Sequence, residues 1–176
     1  MKRLLAAFLM LSALCATASA AAPPHVEEHV KQARVAGSGT FTWFGLRIYD
    51  AELWVGEKGY ASDAPYVLDL RYARKLDGRK IAEASADEME KLGAGTAVQR
   101  AAWLARMKEI FPDVKEGNHI SGVYLPGAGA RFYLDGKALA TVPDPEFARA
   151  FFAIWLDPRT SAKSLRTALL KDAAPR

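Results

Sequence analysis

The chain has 176 residues, 51% of them hydrophobic, with 24 basic and 20 acidic side chains and a net charge of +4 at pH 7. Its single cysteine, Cys15, excludes internal disulfides and cysteine-rich metal sites. The near balance of charge, without a basic tract, gives nucleic acid nothing to bind, and the length is that of one ordinary domain with a sizeable core.

Residues 1–20, MKRLLAAFLMLSALCATASA, begin with Lys2 and Arg3, run apolar from Leu4 to Leu14 and end on small residues. This is the pattern of a secretory signal peptide with cleavage near Ala20. The apolar run is shorter than the ~20 residues a membrane span needs. The expectation is a periplasmic or secreted mature protein of bacterial type with no cysteine and no stable membrane span. Residues 21–36, with Pro23-Pro24, read as an exposed N-terminal lead-in, and the folded domain is expected over 37–172.

Gly37-Ser38-Gly39 opens the first strand-like stretch, Thr40 to Phe44, and Gly45 separates it from a second, Leu46 to Val55. Both are rich in β-branched and aromatic residues. A third, Tyr66 to Tyr72, alternates cleanly, with Tyr66, Leu68, Leu70 and Tyr72 on one face. The period then changes. Gly78 to Leu92 reads as a helix broken by Gly93 and Gly95, and Thr96 caps a second helix from Ala97 to Phe111 that Pro112 ends. Three short strands follow, His119 to Leu125, Ala130 to Leu134 and Lys137 to Val142, the last two joined by the hairpin dipeptide Asp135-Gly136. Asp144 and Pro145 then start a helix with a wide apolar stripe, Phe147, Ala150, Phe151, Ile154 and Trp155, which Pro158 stops. Ser161 or Ser164 restarts a last helix. Strands, helices, strands and helices in that order predict one α+β domain with an antiparallel sheet.

The candidate chemical motifs are few. His25-Val26-Glu27-Glu28-His29 has the H-x-x-E-H spacing of some zinc proteases, but beside two prolines and the cleavage site it reads as a fraying terminus. Ser121, Ser161 and Ser164 have no nucleophile-elbow setting, and Gly127-Ala128-Gly129 reads as a turn. Arg159 is expected to cap carbonyls at the end of the preceding helix. No metal site and no cofactor are expected. Arg47 and Tyr49 alternate onto one strand face with Ala51 and Leu53. They are the candidate ligand-binding pair, able to grip a carboxylate or phenolate together. The plainer reading places Arg47 at the sheet rim with its head in water.

Several widely spaced segments carry a resemblance. GSG at 37–39 leading to LRIYDAELWV at 46–55, LDLRY at 68–72, IFPDVKEGN at 110–118, GARFYLDGK at 129–137 and FARAFFAIWLDPRTSAKSLRTALL at 147–170 occur in the order of the chalcone isomerase-like family. The resemblance implies an open-faced β-sandwich, a large antiparallel sheet backed by helices with a small second sheet on part of its other side. It also implies a cleft that closes a flavonoid ring in the plant enzymes and holds fatty acids in non-catalytic relatives. By that resemblance the enzymes' arginine, threonine and tyrosine fall at about Phe41, Tyr49 and Ile81, and none of the three is kept. The expected function is therefore non-catalytic binding of a small amphipathic ligand such as a fatty acid. The alternatives are an isomerase or lyase acting on an enone through substitute residues, and an interaction protein whose cleft is filled by its own side chains.

Overall fold

A computed structural model describes residues 21–175; residues 1–20, which hold the expected signal peptide and Cys15, lie outside the described residues. Strands β1 (Arg34–Trp43), β2 (Leu46–Val55), β3 (Tyr66–Tyr72), β4 (His119–Leu125), β5 (Gly129–Leu134) and β6 (Lys137–Val142) form one antiparallel sheet in sequence order. Each strand pairs with the next one along the chain, so every connection is a local hairpin or an excursion into helices. The longest excursion, between β3 and β4, holds α2 (Gly78–Lys91) and α3 (Ala97–Ile110), and α4 (Pro145–Leu156) and α5 (Lys163–Leu169) follow β6.

The helix starts have the chemistry the sequence shows. Thr96 caps α3 in a reciprocal box with Gln99, and the Asp144 carboxylate accepts from the amides of Glu146 and Phe147 at the start of α4. The other Asp144 oxygen accepts from the Trp103 indole at 2.9 Å, so one side chain caps α4 and ties α3 to it. At the end of α4, Thr160 Oγ donates to the Ile154 carbonyl and Arg166 Nε to that of Leu156. Arg159, the expected cap, instead pairs with Asp157 at 2.9–3.0 Å and is exposed. Thr160 reaches the carbonyls first because it turns inward and is buried.

Alternation sends Ala51, Leu53 and Val55 of β2, Tyr66, Leu68, Leu70 and Tyr72 of β3 and Phe132 of β5 into one apolar core with α2–α5. Helix α4 is buried almost all round because it packs on the sheet and also against α2 and α5. Its rings interlock with the sheet: Phe151 meets Phe132 edge-on at 5.1 Å, and Phe152 lies over Gly122, where a side chain would crowd the ring.

The sheet's other face differs from expectation. Residues 21–36 are not an exposed lead-in. They form α1 (Pro24–His29) and the start of β1, with Val26, Val30 and Ala36 buried. Val26 and Val30 cover Trp54, Val67, Val123 and Tyr133, so this strap takes the place expected for a small second sheet, and the described residues contain one sheet. The reason is apolar surface: Trp54, Val67 and Val123 point away from the main core and need a cover of their own.

Candidate functional site

The candidate pair does not meet. In β1–β2 pairing Phe41 faces Tyr49 and Thr42 faces Arg47, leaving Ile48 unpaired in a bulge. The extra residue changes the alternation. Tyr49 turns toward the helices, stacked on Phe41 at 5.1 Å, with the Trp155 indole donating to its hydroxyl at 2.9 Å. Arg47 turns to the opposite face, where it is exposed and ion-paired with Asp50, whose carboxylate also accepts from Thr40. The Arg47–Asp50 hydrogen bond and the pair's charges hold Arg47 above its ordinary pKa and Asp50 below its own. The expectation that Arg47 and Tyr49 share a face fails at Ile48, and the plainer reading of Arg47 as a rim residue describes its position.

Around Tyr49 the inner layer is aromatic but carries polar atoms. Tyr72 lies edge-on to Tyr49 at 6.0 Å, Phe151 lies 5.3 Å from Trp155, and all of them belong to or pack on the main core. Burial pushes both phenols well above their ordinary pKa, so they are neutral O–H donors at any physiological pH. The Tyr49 oxygen accepts from Trp155 and keeps its own proton to donate, and Tyr72 lies beside it, 3% exposed. Two phenolic O–H groups thus lie side by side within an aromatic layer. Sequence alternation already puts Tyr72 on the inner face; what it could not show is that Trp155, thirteen helical and loop positions after Val142, closes on Tyr49.

A second constellation lies on the outer face. His25 Nε2 is 2.9 Å from Ser121 Oγ, Ser121 donates to Asp69 at 2.5 Å, and His119 Nδ1 is 2.7 Å from the other Asp69 oxygen. Since the Ser121 proton goes to Asp69, His25 is the donor in its own bond. Ser121 is fully buried, and its proton goes to Asp69 and not to His25, so the trio lacks the serine-to-histidine proton path of an activated nucleophile. His29 meets Tyr133 OH at 2.7 Å. The two histidines of the H-x-x-E-H stretch thus pin α1 to the sheet through different partners. Beside them opens a pocket of about 460 Å³ bordered by Pro24, Glu52, Trp54, Asp69 and His119.

The comparisons with known proteins agree with this architecture. The model of the chalcone isomerase-like family matches residues 16–171. Among solved structures, that of an Arabidopsis thaliana fatty-acid binding protein superposes with a TM-score of 0.64 at 13% identity, covering 81% of this chain and 89% of that one. No curated protein matches the chain.

Proposed function

The chain belongs to the chalcone isomerase-like family, and from that premise we propose that it is a non-catalytic binder of a small amphipathic ligand with an acidic head group, such as a fatty acid, working in the periplasm or outside the cell. The observation that carries this reading is the pair of buried phenols. Tyr49 and Tyr72 offer two O–H donors side by side inside an aromatic layer. A carboxylate there would take both protons in charge-assisted bonds, while Phe41, Phe151 and Trp155 would flank its tail. The fold shared with a fatty-acid binding protein supports the same reading. In this reading Tyr49 keeps the role the sequence suggests, and Tyr72 takes the place of Arg47. Enone chemistry has less support. Phe41 carries no donor, and Ile81 offers only hydrocarbon where the enzymes' tyrosine would fall.

The test is a titration of delipidated protein with a long-chain fatty acid, monitored by calorimetry. Tyr72→Phe and Tyr49→Phe should each weaken binding about tenfold, the scale of one lost hydrogen bond to a charged group. Arg47→Gln should stay within about twofold of wild type. Wild-type affinity in either tyrosine variant, or a large loss in Arg47→Gln, would refute the assignment. One further reading is favoured by a specific observation: rings from β1–β3 and α4 already occupy the space between sheet and helices. A tail therefore needs Phe41, on the edge strand and only partly buried, to swing aside. If the protein binds no fatty acid at all, the filled cleft makes it an interaction protein.

A further inference from the structure

The β1–β2 hairpin ends in Trp43-Phe44-Gly45-Leu46, and its three large side chains are the most exposed of their kind at this end of the sheet: Trp43 63%, Phe44 87% and Leu46 52%. The turn residues are Phe44 at φ 46° and Gly45 at φ 76°. A two-residue hairpin turn with both central residues at positive φ ordinarily takes Asn, Asp or Gly first, because a larger side chain strains the backbone there. The chain itself supplies the comparison. The β5–β6 hairpin makes the same turn with Asp135 at φ 50° and Gly136 at φ 77°. There the first position is Asp, a residue the turn prefers, and its carboxylate also accepts from the Asn118 side chain and the His119 amide. At the other hairpin the sequence uses Phe-Gly, and the Phe44 ring, 87% exposed, meets the Trp43 ring, itself 63% exposed.

A residue that strains its backbone and leaves its ring almost wholly exposed points to contact with something else. The three side chains make an apolar point, with Trp43 and Phe44 at 4.8 Å, and not a groove or a flat face. Behind the point the hairpin turns polar at once, with the Arg47–Asp50 pair and Thr40. An apolar tip of Trp, Phe and Leu backed by a tryptophan-level polar collar matches the depth profile of a lipid–water interface, where aromatic rings settle at head-group level. Two residues along β1 from Trp43 is Phe41, stacked on Tyr49. The tip is therefore continuous with the layer proposed above to hold an amphipathic ligand, and this point of function, unlike the tip's geometry, rests on that reading.

We propose that the Trp43–Leu46 tip inserts reversibly into the surface of a lipid bilayer. Three side chains give a shallow, exchangeable attachment and no span, in keeping with the lack of any helix among the described residues long and apolar enough to cross a membrane. The experiment uses mature, ligand-free protein with vesicles of phosphatidylcholine, and of phosphatidylcholine and phosphatidylglycerol in equal parts. Co-sedimentation measures partitioning, and lipids brominated near the head group report contact. Trp43 is the reporter, because Trp54, Trp103 and Trp155 are at most 7% exposed. Wild type should partition and be quenched. Phe44→Asn, which installs a residue the turn prefers, should melt no lower than wild type while its partitioning falls about tenfold or more, the effect of one large apolar side chain leaving an apolar medium. Leu46→Ser should act in the same direction. Absence of wild-type partitioning on both vesicles would overturn the proposal, as would equal partitioning of Phe44→Asn. A tip-dependent dimer in sedimentation without vesicle binding would overturn it in favour of self-association. Because no fatty acid is present, failure here leaves the ligand-binding reading to its own titration.

Discussion

Gly37→Ala is the substitution that most directly tests how the helical layer is seated on the sheet. A Cβ at residue 37 would lie 2.0 Å from the Ala168 carbonyl oxygen and 2.6 Å from that of Leu169. These are backbone atoms at the end of α5, so no side-chain rotation relieves the overlap. The segment after α5 is also tied down, by Asp172 N to the Ala36 carbonyl at 2.7 Å and by Arg34 to the carbonyls of Asp172 and Ala174 at 2.6 Å. To restore ordinary contact α5 must withdraw by about 1 Å or more, which loosens Leu165 and Leu169, both buried in the main core. Full burial of each leucine is worth about 1.5–3 kcal/mol. Losing part of both, with strain in the clasp, should cost about 2–4 kcal/mol. The gain from a stiffer unfolded chain returns at most about 1 kcal/mol of this. For a domain of this size the melting temperature should fall roughly 5–15 °C. Chemical denaturation and calorimetry read both quantities, with Ser38→Ala, an exposed neighbour, as the control expected within about 0.5 kcal/mol of wild type. If Gly37→Ala unfolds within about 0.5 kcal/mol of wild type, α5 does not sit where the argument needs it.

Phe132→Ala should cost about 3–5 kcal/mol, because the ring is fully buried among Phe111, Phe147 and Phe151; a denaturant midpoint shift smaller than Ile→Val-type losses would contradict that packing. Tyr72→Phe should leave the ligand-free protein within about 0.5 kcal/mol of wild type, since it keeps the ring that packs on Tyr49; a clear loss of stability in urea would show that the hydroxyl supports the fold. The strap α1 should loosen in acid. Burial lowers His25 and His29 below the ordinary imidazole value, against the opposing pulls of Asp69 on the first and Glu28 on the second, while His119 and Arg131 push the same way as burial. A lowered folded-state pKa means the contribution is whole above pH ~6.5 and is lost as pH falls through the folded values. Hydrogen exchange at Val30, whose amide bonds the Val26 carbonyl, should therefore speed up between neutral pH and pH ~5 relative to core amides, and a constant ratio would count against it.

Much of the fold is written locally. Thr96 and Asp144 as caps, Asp135-Gly136 as a hairpin turn, and the period-two run Tyr66–Tyr72 each depend on residues within a few positions, and the segments that resemble the chalcone isomerase-like family follow that same order. The candidate binding site is only half legible in the sequence. Alternation put Tyr49 on the inner face correctly, but it carried Arg47 along with it, because nothing near Ile48 announces a bulge. The bulge is a property of the pairing between β1 and β2, and one unpaired residue changes which face a side chain takes. The strap was misread for a similar reason. Pro23-Pro24 looks like a loose end by composition, whereas His25 and His29 find Ser121 and Tyr133 about a hundred residues away, and Val26 and Val30 find an apolar face that only the assembled sheet presents. Local chemistry fixed which segments became strands and helices. Register and long-range burial, which depend on partners distant in the chain, decided which side chains face each other, and so moved the candidate polar contact from Arg47 to Tyr72 and Trp155.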